Sequence, residues 1–89
     1  MVYKKHPLTA GRIVEGMAFV VTADDNKLHT LNDTGSEVWA LAADGVTVEQ
    51  AAKALVEMFE VDLETATEDV SSCLQSFVER GILQVAEEG

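Results

Sequence analysis

The first third of the chain alternates short apolar runs with turn-forming residues. Apolar and β-branched runs at residues 12–14, 17–22 and 27–31 are separated by Glu15-Gly16 and by the polar segment 23–26. Such runs are typical of antiparallel strands. The middle run, MAFVVT, is apolar on both faces, which predicts a central strand. The run at 27–31 then forms an edge of the sheet.

From residue 32 onward the apolar positions repeat at helical spacing. A first helix is predicted to begin near residues 32–34, because all three side chains carry an oxygen that can cap a helix. Glu37 lies three residues after Thr34 and could complete a capping box with it. The helix should end near Ala43, before the helix-terminating pair Asp44-Gly45.

A second helix is predicted from about Val48 to Phe59. Thr47 can accept a hydrogen bond from its first turn, and Gln50, three residues later, can reach back to the N–H of Thr47.

A third helix is predicted from about Leu63 to Arg80, with Asp62 as its N-cap. Gly81 fits the end of this helix, and residues 82–85 either add a short strand or pack against the core. The apolar residues of the helix recur at spacings of three and four, as expected for a core-facing stripe: Leu63, Ala66, Val70, Cys73, Leu74, Phe77 and Val78.

The order of elements predicts a small α+β domain of winged-helix type, with a three-stranded antiparallel sheet followed by three helices. Residues 1–89 are too few for more than one domain. We expect an ordered core of about residues 6–85, with Pro7 in an extended lead-in and residues 86–89 fraying.

The charge of the chain is strongly negative and unevenly distributed. The formal net charge is -10, and the residues after Lys27 carry two basic side chains against thirteen acidic ones. This excess disfavours nucleic acids and anionic membranes and favours basic peptides or proteins, although it also serves solubility alone. No apolar run approaches the roughly 20 residues of a membrane span, and no secretory signal is evident. We therefore expect a cytoplasmic protein.

Candidate catalytic chemistry is sparse. The chain has one cysteine and two histidines far apart, which leaves no ligand set for a metal. It shows no paired nucleophile and base and no glycine-rich phosphate loop, so we expect neither enzymatic activity nor a cofactor. Cys73 is interpreted as a small apolar residue of the helical stripe rather than a reactive thiol. Trp39 is interpreted as the core anchor of the first helix.

Several short motifs follow one another in a specific order. They are Arg12-Ile13-Val14, Leu31-Asn32-x-Thr34-Gly35-x-x-Val38-Trp39-x-Leu41, Gly45-x-Thr47-Val48-x-x-Ala51, then Leu55, Phe59, Val61 and Asp69-Val70, and finally Gly81-Ile82-Leu83. Together they cover about residues 6–85. This pattern resembles the PqqD-like family, which is named after the pyrroloquinoline quinone biosynthesis protein D.

The resemblance implies a RiPP recognition element, a winged-helix-like module that binds the leader segment of a ribosomally made precursor peptide. In that family the leader adds as a strand to the third strand of the sheet and lies against the third helix. The bound peptide is presented to a modifying enzyme, typically a radical SAM enzyme. In this sequence the receiving strand is residues 27–31 and the helix is residues 63–80. An edge strand is also what strand addition requires.

The candidate peptide-binding residues come from this strand and from one side of the third helix. Leu28 could contact a peptide or belong to the core, and His29 could contact a ligand or simply lie at the surface. The polar helix residues could border a groove or form a solvated face. The candidates are Lys27, Leu28, His29, Thr30 and Leu31 of the strand, and Asp69, Ser72, Cys73, Ser76, Phe77 and Arg80 of the helix.

Two other functions remain open. The fold could serve as a general protein-interaction domain, since a fold alone does not determine a function. It could also bind DNA as a winged helix, but the third helix carries Arg80 as its only base among several acids, which disfavours contact with phosphates. The exposed edge strand could also pair with a second copy to form a homodimer.

Overall fold

The computed structural model describes residues 1–86 and contains five strands and three α-helices. In chain order they are β1 (Val2–Lys5), β2 (Thr9–Val14), β3 (Met17–Thr22), β4 (Lys27–Thr30), α1 (Asp33–Leu41), a 3-10 turn (Ala42–Asp44), α2 (Val48–Phe59), α3 (Leu63–Glu79) and β5 (Leu83–Ala86). The predicted α+β architecture of a three-stranded antiparallel sheet followed by three helices is confirmed.

The three-stranded sheet has the strand order β2-β3-β4, and all its pairings are antiparallel. The run MAFVVT is therefore the central strand and β4 lies at an edge, as the hydrophobic pattern predicts. The register aligns residues in rows across the sheet, with Val21 opposite both Ala10 and Leu28, and Phe19 opposite both Arg12 and Thr30.

A second sheet of two strands joins the beginning of the described chain to its end. β1 pairs with β5, from Val2 opposite Ala86 to Lys5 opposite Leu83. The backbone of Tyr3 also exchanges two hydrogen bonds of 2.8 Å with Val46. Order thus begins before Pro7, earlier than expected from the sequence, because the lead-in finds a partner strand.

The C-terminal segment differs in detail from its prediction. Of the two alternatives for residues 82–85, the strand is the one that forms. Ala86 pairs with Val2 and does not fray. The remaining part of the predicted fraying tail, residues 87–89, lies outside the described residues.

Helix α1 begins within the predicted range, and its cap is the first of the three candidate residues. The side chain of Asn32 accepts a hydrogen bond of 2.7 Å from the N–H of Gly35. The predicted capping box of Thr34 with Glu37 is therefore wrong, since Thr34 already lies inside the helix. Among three consecutive candidate oxygens, only the first has the extended backbone that a cap requires.

The caps of the other two helices are confirmed. Thr47 and Gln50 form both hydrogen bonds of the capping box, at 3.1 and 3.0 Å. The carboxylate of Asp62 accepts from the N–H of Thr65 at 2.7 Å, and this hydrogen bond lowers the pKa of Asp62.

The core lies between the inner face of the three-stranded sheet and the helices. Trp39 is 4% exposed, which confirms its predicted place in the core. Its ring lies against the backbone of Gly11, where a Cβ atom would come within 2.8 Å of the indole. The Nζ atom of Lys5 lies 3.7 Å from the centroid of the same ring. The buried apolar side chains are Ala18, Val20, Leu31, Val38, Trp39, Ala42, Val46, Ala51, Ala52, Leu55, Ala66, Val70, Leu74, Phe77, Ile82 and Leu83.

A buried serine ties α1 to the sheet. The Oγ atom of Ser36 accepts a hydrogen bond of 2.7 Å from the N–H of Ala18 and donates one of 3.2 Å to the C=O of Leu31. The N–H of Leu31 donates to the C=O of Ala18 at 2.9 Å. The serine hydroxyl thus stands between two backbone groups at the end of the β3–β4 ladder, and it fixes the position where the edge strand meets α1.

Candidate functional site

A groove runs between the end of β4 and helix α3. Its central segment has a volume of about 260 Å³. The lining residues come from the end of β4, the start of α1 and one side of α3: Thr30, Leu31, Asn32, Gly35, Cys73, Ser76, Phe77 and Arg80. We call this surface, with the continuation described next, the β4–α3 groove.

The groove continues along α3 toward the N-terminus of the helix. This second segment has a volume of about 290 Å³ and shares Asn32, Gly35 and Cys73 with the first. It adds Thr34, Asp69 and Ser72. The α3 residues of both segments recur at spacings of three and four, so they form one face of the helix. The groove therefore has a basic end at Arg80 and an acidic end at Asp69.

The floor of the groove is apolar and its walls are polar. Leu31 and Phe77 are only 3% and 4% exposed, and they close the bottom between the two elements. Gly35 lets α1 approach α3 closely, because a Cβ atom there would lie 3.3 Å from Cζ of Phe77 and 3.0 Å from Oδ1 of Asn32. A Cβ atom at position 35 would therefore require Asn32 or Phe77 to shift.

Cys73 lines both segments with a half-buried thiol. Burial raises the pKa of Cys73 to about 11, while the positive charge of Arg80 lowers it by a smaller amount. The thiol is therefore protonated near neutral pH. It acts as an apolar part of the wall and not as a nucleophile, because the thiolate is the reactive form.

The open edge of β4 borders the groove. In an antiparallel ladder, alternate residues direct their backbone groups toward the neighbouring strand. The N–H of Leu31 bonds to Ala18, so the backbone groups of Leu31, His29 and Lys27 are directed toward β3. Those of Leu28 and Thr30 are directed away from β3, toward the open edge. Within residues 1–86 no strand pairs with that edge.

The structure brings together eight of the eleven predicted site residues. Those that line the β4–α3 groove are Thr30, Leu31, Asp69, Ser72, Cys73, Ser76, Phe77 and Arg80.

The other three predicted residues lie on β4 outside the groove. Leu28 is 64% exposed and sits on the face of the sheet opposite the helices, so it is neither core nor groove lining. His29 is half-buried on the inner face, with Nε2 3.2 Å from Oγ1 of Thr22. Lys27 pairs with Thr22 at the start of the strand.

Three lining residues at the start of α1 were not among the predicted site residues. Asn32 and Thr34 were interpreted as candidate helix caps and Gly35 as part of the family motif, yet they form the wall opposite α3. A signal was present for Gly35, because a glycine in the first turn of a helix is unfavourable and often marks a close approach of two elements.

Beyond Arg80 a further hollow of about 190 Å³ leads from the groove toward the β3–β4 turn. Thr22 and Asp25 lie on its far side. The hydrogen bond that the Thr22 hydroxyl donates to Asp25 lowers the pKa of that carboxyl. The basic end of the groove is thus flanked by carboxylates, because Asp24, Asp25 and Glu79 all line this hollow beside Arg80.

Residues 1–86 contain no helix that is both long enough and apolar enough to cross a bilayer. No group of three or more potential metal-ligating side chains occurs among them.

Three solved structures have the same fold. TbiB1 in complex with the TbiA(beta) leader peptide matches with a TM-score of 0.86 and 18% identity, over 96% of this chain and 99% of that chain. A lasso peptide synthetase B1 complexed with the leader peptide matches with a TM-score of 0.82 and 19% identity, over 93% of this chain and 98% of that chain. The PqqD truncation of Methylobacterium extorquens PqqCD, described as a stand-alone RiPP recognition element, matches with a TM-score of 0.76 and 19% identity, over 94% and 89%. At such identities the likeness concerns the fold.

No curated protein sequence matches the chain significantly. The family of coenzyme PQQ synthesis protein D (PqqD) does match, over residues 18–83. This range extends from β3 into β5 and includes β4, all three helices and every residue that lines the β4–α3 groove. The match therefore covers most of the chain, and the chain belongs to the PqqD family.

Proposed function

We propose that this protein binds the leader segment of a ribosomally made precursor peptide by strand addition to β4 and presents it to a modifying enzyme. The observation that carries the proposal is the combination of an open strand edge with a groove directly beside it. Edge backbone groups supply affinity that does not depend on sequence, and side-chain pockets next to them supply specificity.

The backbone of β4 determines how an added strand would lie. Leu28 and Thr30 offer their N–H and C=O groups to the peptide, because these groups are directed away from β3. Peptide residues opposite His29 and Leu31 would then turn toward α3, since side chains alternate along a strand. These residues would meet the apolar floor at Leu31 and Phe77.

Charge adds a preference for the direction of the peptide. Arg80 and Asp69 lie at opposite ends of the groove. A peptide with an acidic residue near one end and a basic residue near the other would bind in one orientation. The acidic helical half of the molecule further favours a basic flank, through an attraction that salt should weaken.

The related structures support this proposal. Of the three solved structures named above, two contain leader peptides, and the third is described as a RiPP recognition element. Membership of the PqqD family supports the same role.

We infer a binding role without catalysis by the chain itself. The one thiol in the groove, Cys73, stays protonated near neutral pH. The modifying enzyme would supply the chemistry, and a radical SAM enzyme is the kind that the family resemblance implies. Because the precursor is made on ribosomes, we propose that recognition takes place in the cytoplasm.

Titration followed by NMR tests the proposal. The ligand is a synthetic leader peptide from a precursor gene beside the gene of this chain, and its scrambled sequence serves as the control. We expect the largest amide shifts at Leu28 and Thr30 and along the groove face of α3. Shifts confined to other faces, or equal shifts with the scrambled peptide, would overturn the proposal.

A matched pair of variants separates the groove from the rest of α3. Ser76→Arg places a long side chain in the groove, and we expect it to weaken binding at least about tenfold, or about 1.4 kcal/mol. Ser71→Arg makes the same change on the opposite side of α3, beside Tyr3 and Val85, and should leave affinity unchanged.

A third variant tests strand addition directly. Thr30→Pro removes an N–H from the open edge of β4 without removing a hydrogen bond to β3, and proline is tolerated on edge strands. We expect weaker binding with an unchanged far-UV circular dichroism spectrum. Full affinity in Thr30→Pro would show that the peptide does not pair with β4.

A further inference from the structure

The face of the three-stranded sheet that points away from the helices is almost entirely apolar. Ala18, Val20 and Thr22 of β3 are buried on the inner face, so the residues that alternate with them, and their partners in the register, point outward. The outer sheet face consists of Ala10, Arg12 and Val14 of β2, Met17, Phe19 and Val21 of β3, and Leu28 and Thr30 of β4.

This composition is unusual for a sheet face that borders water. Antiparallel sheets with one solvated face normally alternate apolar residues inside with polar residues outside. Here Arg12 is the only charged residue among the eight. Leu28, Val14 and Val21 are 64%, 46% and 38% exposed. A contiguous apolar patch on a sheet face is a candidate surface for contact with another molecule.

The shape of the face is asymmetric across the strands. One row of the register contains Ala10, Val21 and Leu28, so the side chains grow larger from β2 to β4. A hollow of about 400 Å³ lies on this face, lined by Ala10, Gly11, Arg12, Phe19, Val21 and Leu28. Leu28 thus projects at one border of the row, and the small side chain of Ala10 leaves space at the other.

The geometry points to a second copy of this chain as the molecule that covers the outer sheet face. Consider two such faces packed together around a two-fold axis that runs parallel to β3 between them. Rotation about this axis places β2 of one copy over β4 of the other. Each row of the register then lies over the same row of the other copy. Leu28 of one copy then lies over Ala10 of the other, and each Val21 faces its equivalent. The face is therefore complementary to itself, as an isologous interface requires.

The second row fits the same axis. It contains Arg12, Phe19 and Thr30. Arg12 of one copy lies over Thr30 of the other, whose hydroxyl can accept a hydrogen bond from the guanidinium, and the two phenylalanine rings meet at the axis. The Arg12 guanidinium groups of the two copies lie at opposite borders of the interface. The only charged side chains on the two faces are therefore kept apart.

The net charge also selects this face for self-association. With sixteen acidic and six basic residues, two copies repel each other over most of their surface. Thirteen of the acids follow Lys27, on the helical and C-terminal side of the chain. The outer sheet face bears a single positive charge and no negative one, so two copies approach there with the least repulsion.

The size of the face sets the strength of the association. Three strands about 4.8 Å apart and about 20 Å long present a footprint of roughly 300 Å² per copy. A standard stable interface buries about 800 Å² per partner. We therefore expect a weak and reversible dimer. Its two open β4 edges would lie on opposite borders, which leaves both β4–α3 grooves accessible.

Sedimentation of the purified full chain over a range from about 10 µM to about 1 mM tests this arrangement. We expect a mass-average molecular weight that rises from the monomer toward the dimer with concentration. Added NaCl should strengthen the association, because it screens the repulsion between the acidic halves. A chain that remains monomeric throughout this range would overturn the proposal.

Two variants with the same added charge locate the interface. Val21→Asp places two carboxylates against each other at the axis and should give a monomer at every concentration. Met58→Asp adds the same charge to an exposed apolar residue of α2, 53% exposed, and should leave the dimerisation constant within about twofold. Circular dichroism checks that both variants fold, and Leu28→Asp repeats the first test at a more exposed position.

An exchange of side chains tests the two-fold geometry itself. Leu28→Ala removes the projection and should weaken the dimer, and Ala10→Leu fills the space and should weaken it as well. The double variant A10L/L28A exchanges the two roles and should restore association. A double variant weaker than either single one would overturn this axis. A dimer that survives Val21→Asp but is lost in Thr30→Pro would show pairing of β4 edges instead. None of these outcomes depends on whether the chain binds a peptide.

Discussion

At the scale of single residues, the junction between the sheet and α1 depends on the hydroxyl of Ser36. It satisfies the buried N–H of Ala18 and donates to the C=O of Leu31. Ser36→Ala removes both hydrogen bonds and leaves the Ala18 N–H without this acceptor. We expect the free energy of unfolding to fall by about 1–3 kcal/mol. Urea denaturation followed by the fluorescence of Trp39 measures the change.

Ser71→Ala is the matched control for that prediction, because Ser71 is exposed on α3. Its effect should stay within about 0.5 kcal/mol. A Ser36→Ala variant as stable as the parent would contradict the proposed role of the hydroxyl.

Residue-level predictions from the sequence succeeded where the determining contact is local. The capping box of Thr47 with Gln50 needs only residues three apart, and it forms as predicted. The cap of α1 was narrowed only to residues 32–34, and the capping box of Thr34 with Glu37 was wrong, because three neighbouring side chains carry suitable oxygens and the backbone at Asn32 decides between them. Likewise, strand alternation separates Leu28 from His29, but only the packed helices determine which of the two faces outward.

At the scale of elements, β1 contributes to stability although the sequence places it in a lead-in. Deleting residues 1–5 removes the partner of β5, the two hydrogen bonds between Tyr3 and Val46, and the contact of Lys5 with Trp39. We expect a loss of at least about 2 kcal/mol, since each of those two bonds is worth about 1 kcal/mol. The midpoint of urea denaturation is the measurement.

The substitution Lys4→Ala serves as the reference for the deletion, since Lys4 is exposed within β1 and its backbone pairing is retained. It should be nearly neutral. If the deletion were equally neutral, an ordered core starting near residue 6 would be the better description of the molecule.

The elements that were predicted well and those that were missed differ in how far apart their partners lie along the chain. The edge position of β4 was predicted correctly, because the neighbouring run MAFVVT is apolar on both faces and therefore forms the central strand. The strand β1 has no such signal, because two apolar residues are followed by two lysines and the pairing partner, Leu83–Ala86, lies at the other end of the described chain. The groove wall at the start of α1 escaped notice for the same reason, since its partner is α3.

At the scale of the whole molecule, repulsion between acids outweighs attraction between ions. Against a net charge of -10, residues 1–86 contain a single ion pair, Lys53 with Glu49 at 3.4 Å, and it is well exposed. Raising the ionic strength from about 0.01 M to about 0.1 M shortens the Debye length from about 30 Å to about 10 Å. The longer distance exceeds the radius of gyration of 12.4 Å, and the shorter one does not.

We therefore expect NaCl to raise the melting temperature by several degrees over this range, because it screens more repulsion than attraction. Thermal unfolding followed by circular dichroism measures the shift, and glucose at equal osmolality is the control for effects unrelated to charge. A melting temperature that falls with NaCl would mean that favourable ion pairs dominate.

The pairing of β1 with β5 has a consequence for synthesis on the ribosome. The strand β1 is made before every other element, yet its partner emerges only after three strands and three helices have followed. Until then β1 has no strand to pair with, and joining the two requires the closure of a long loop. The β4–α3 groove is formed by residues 30–80, all of which are made before β5. A nascent chain therefore contains every residue of the groove before its two-stranded sheet can form.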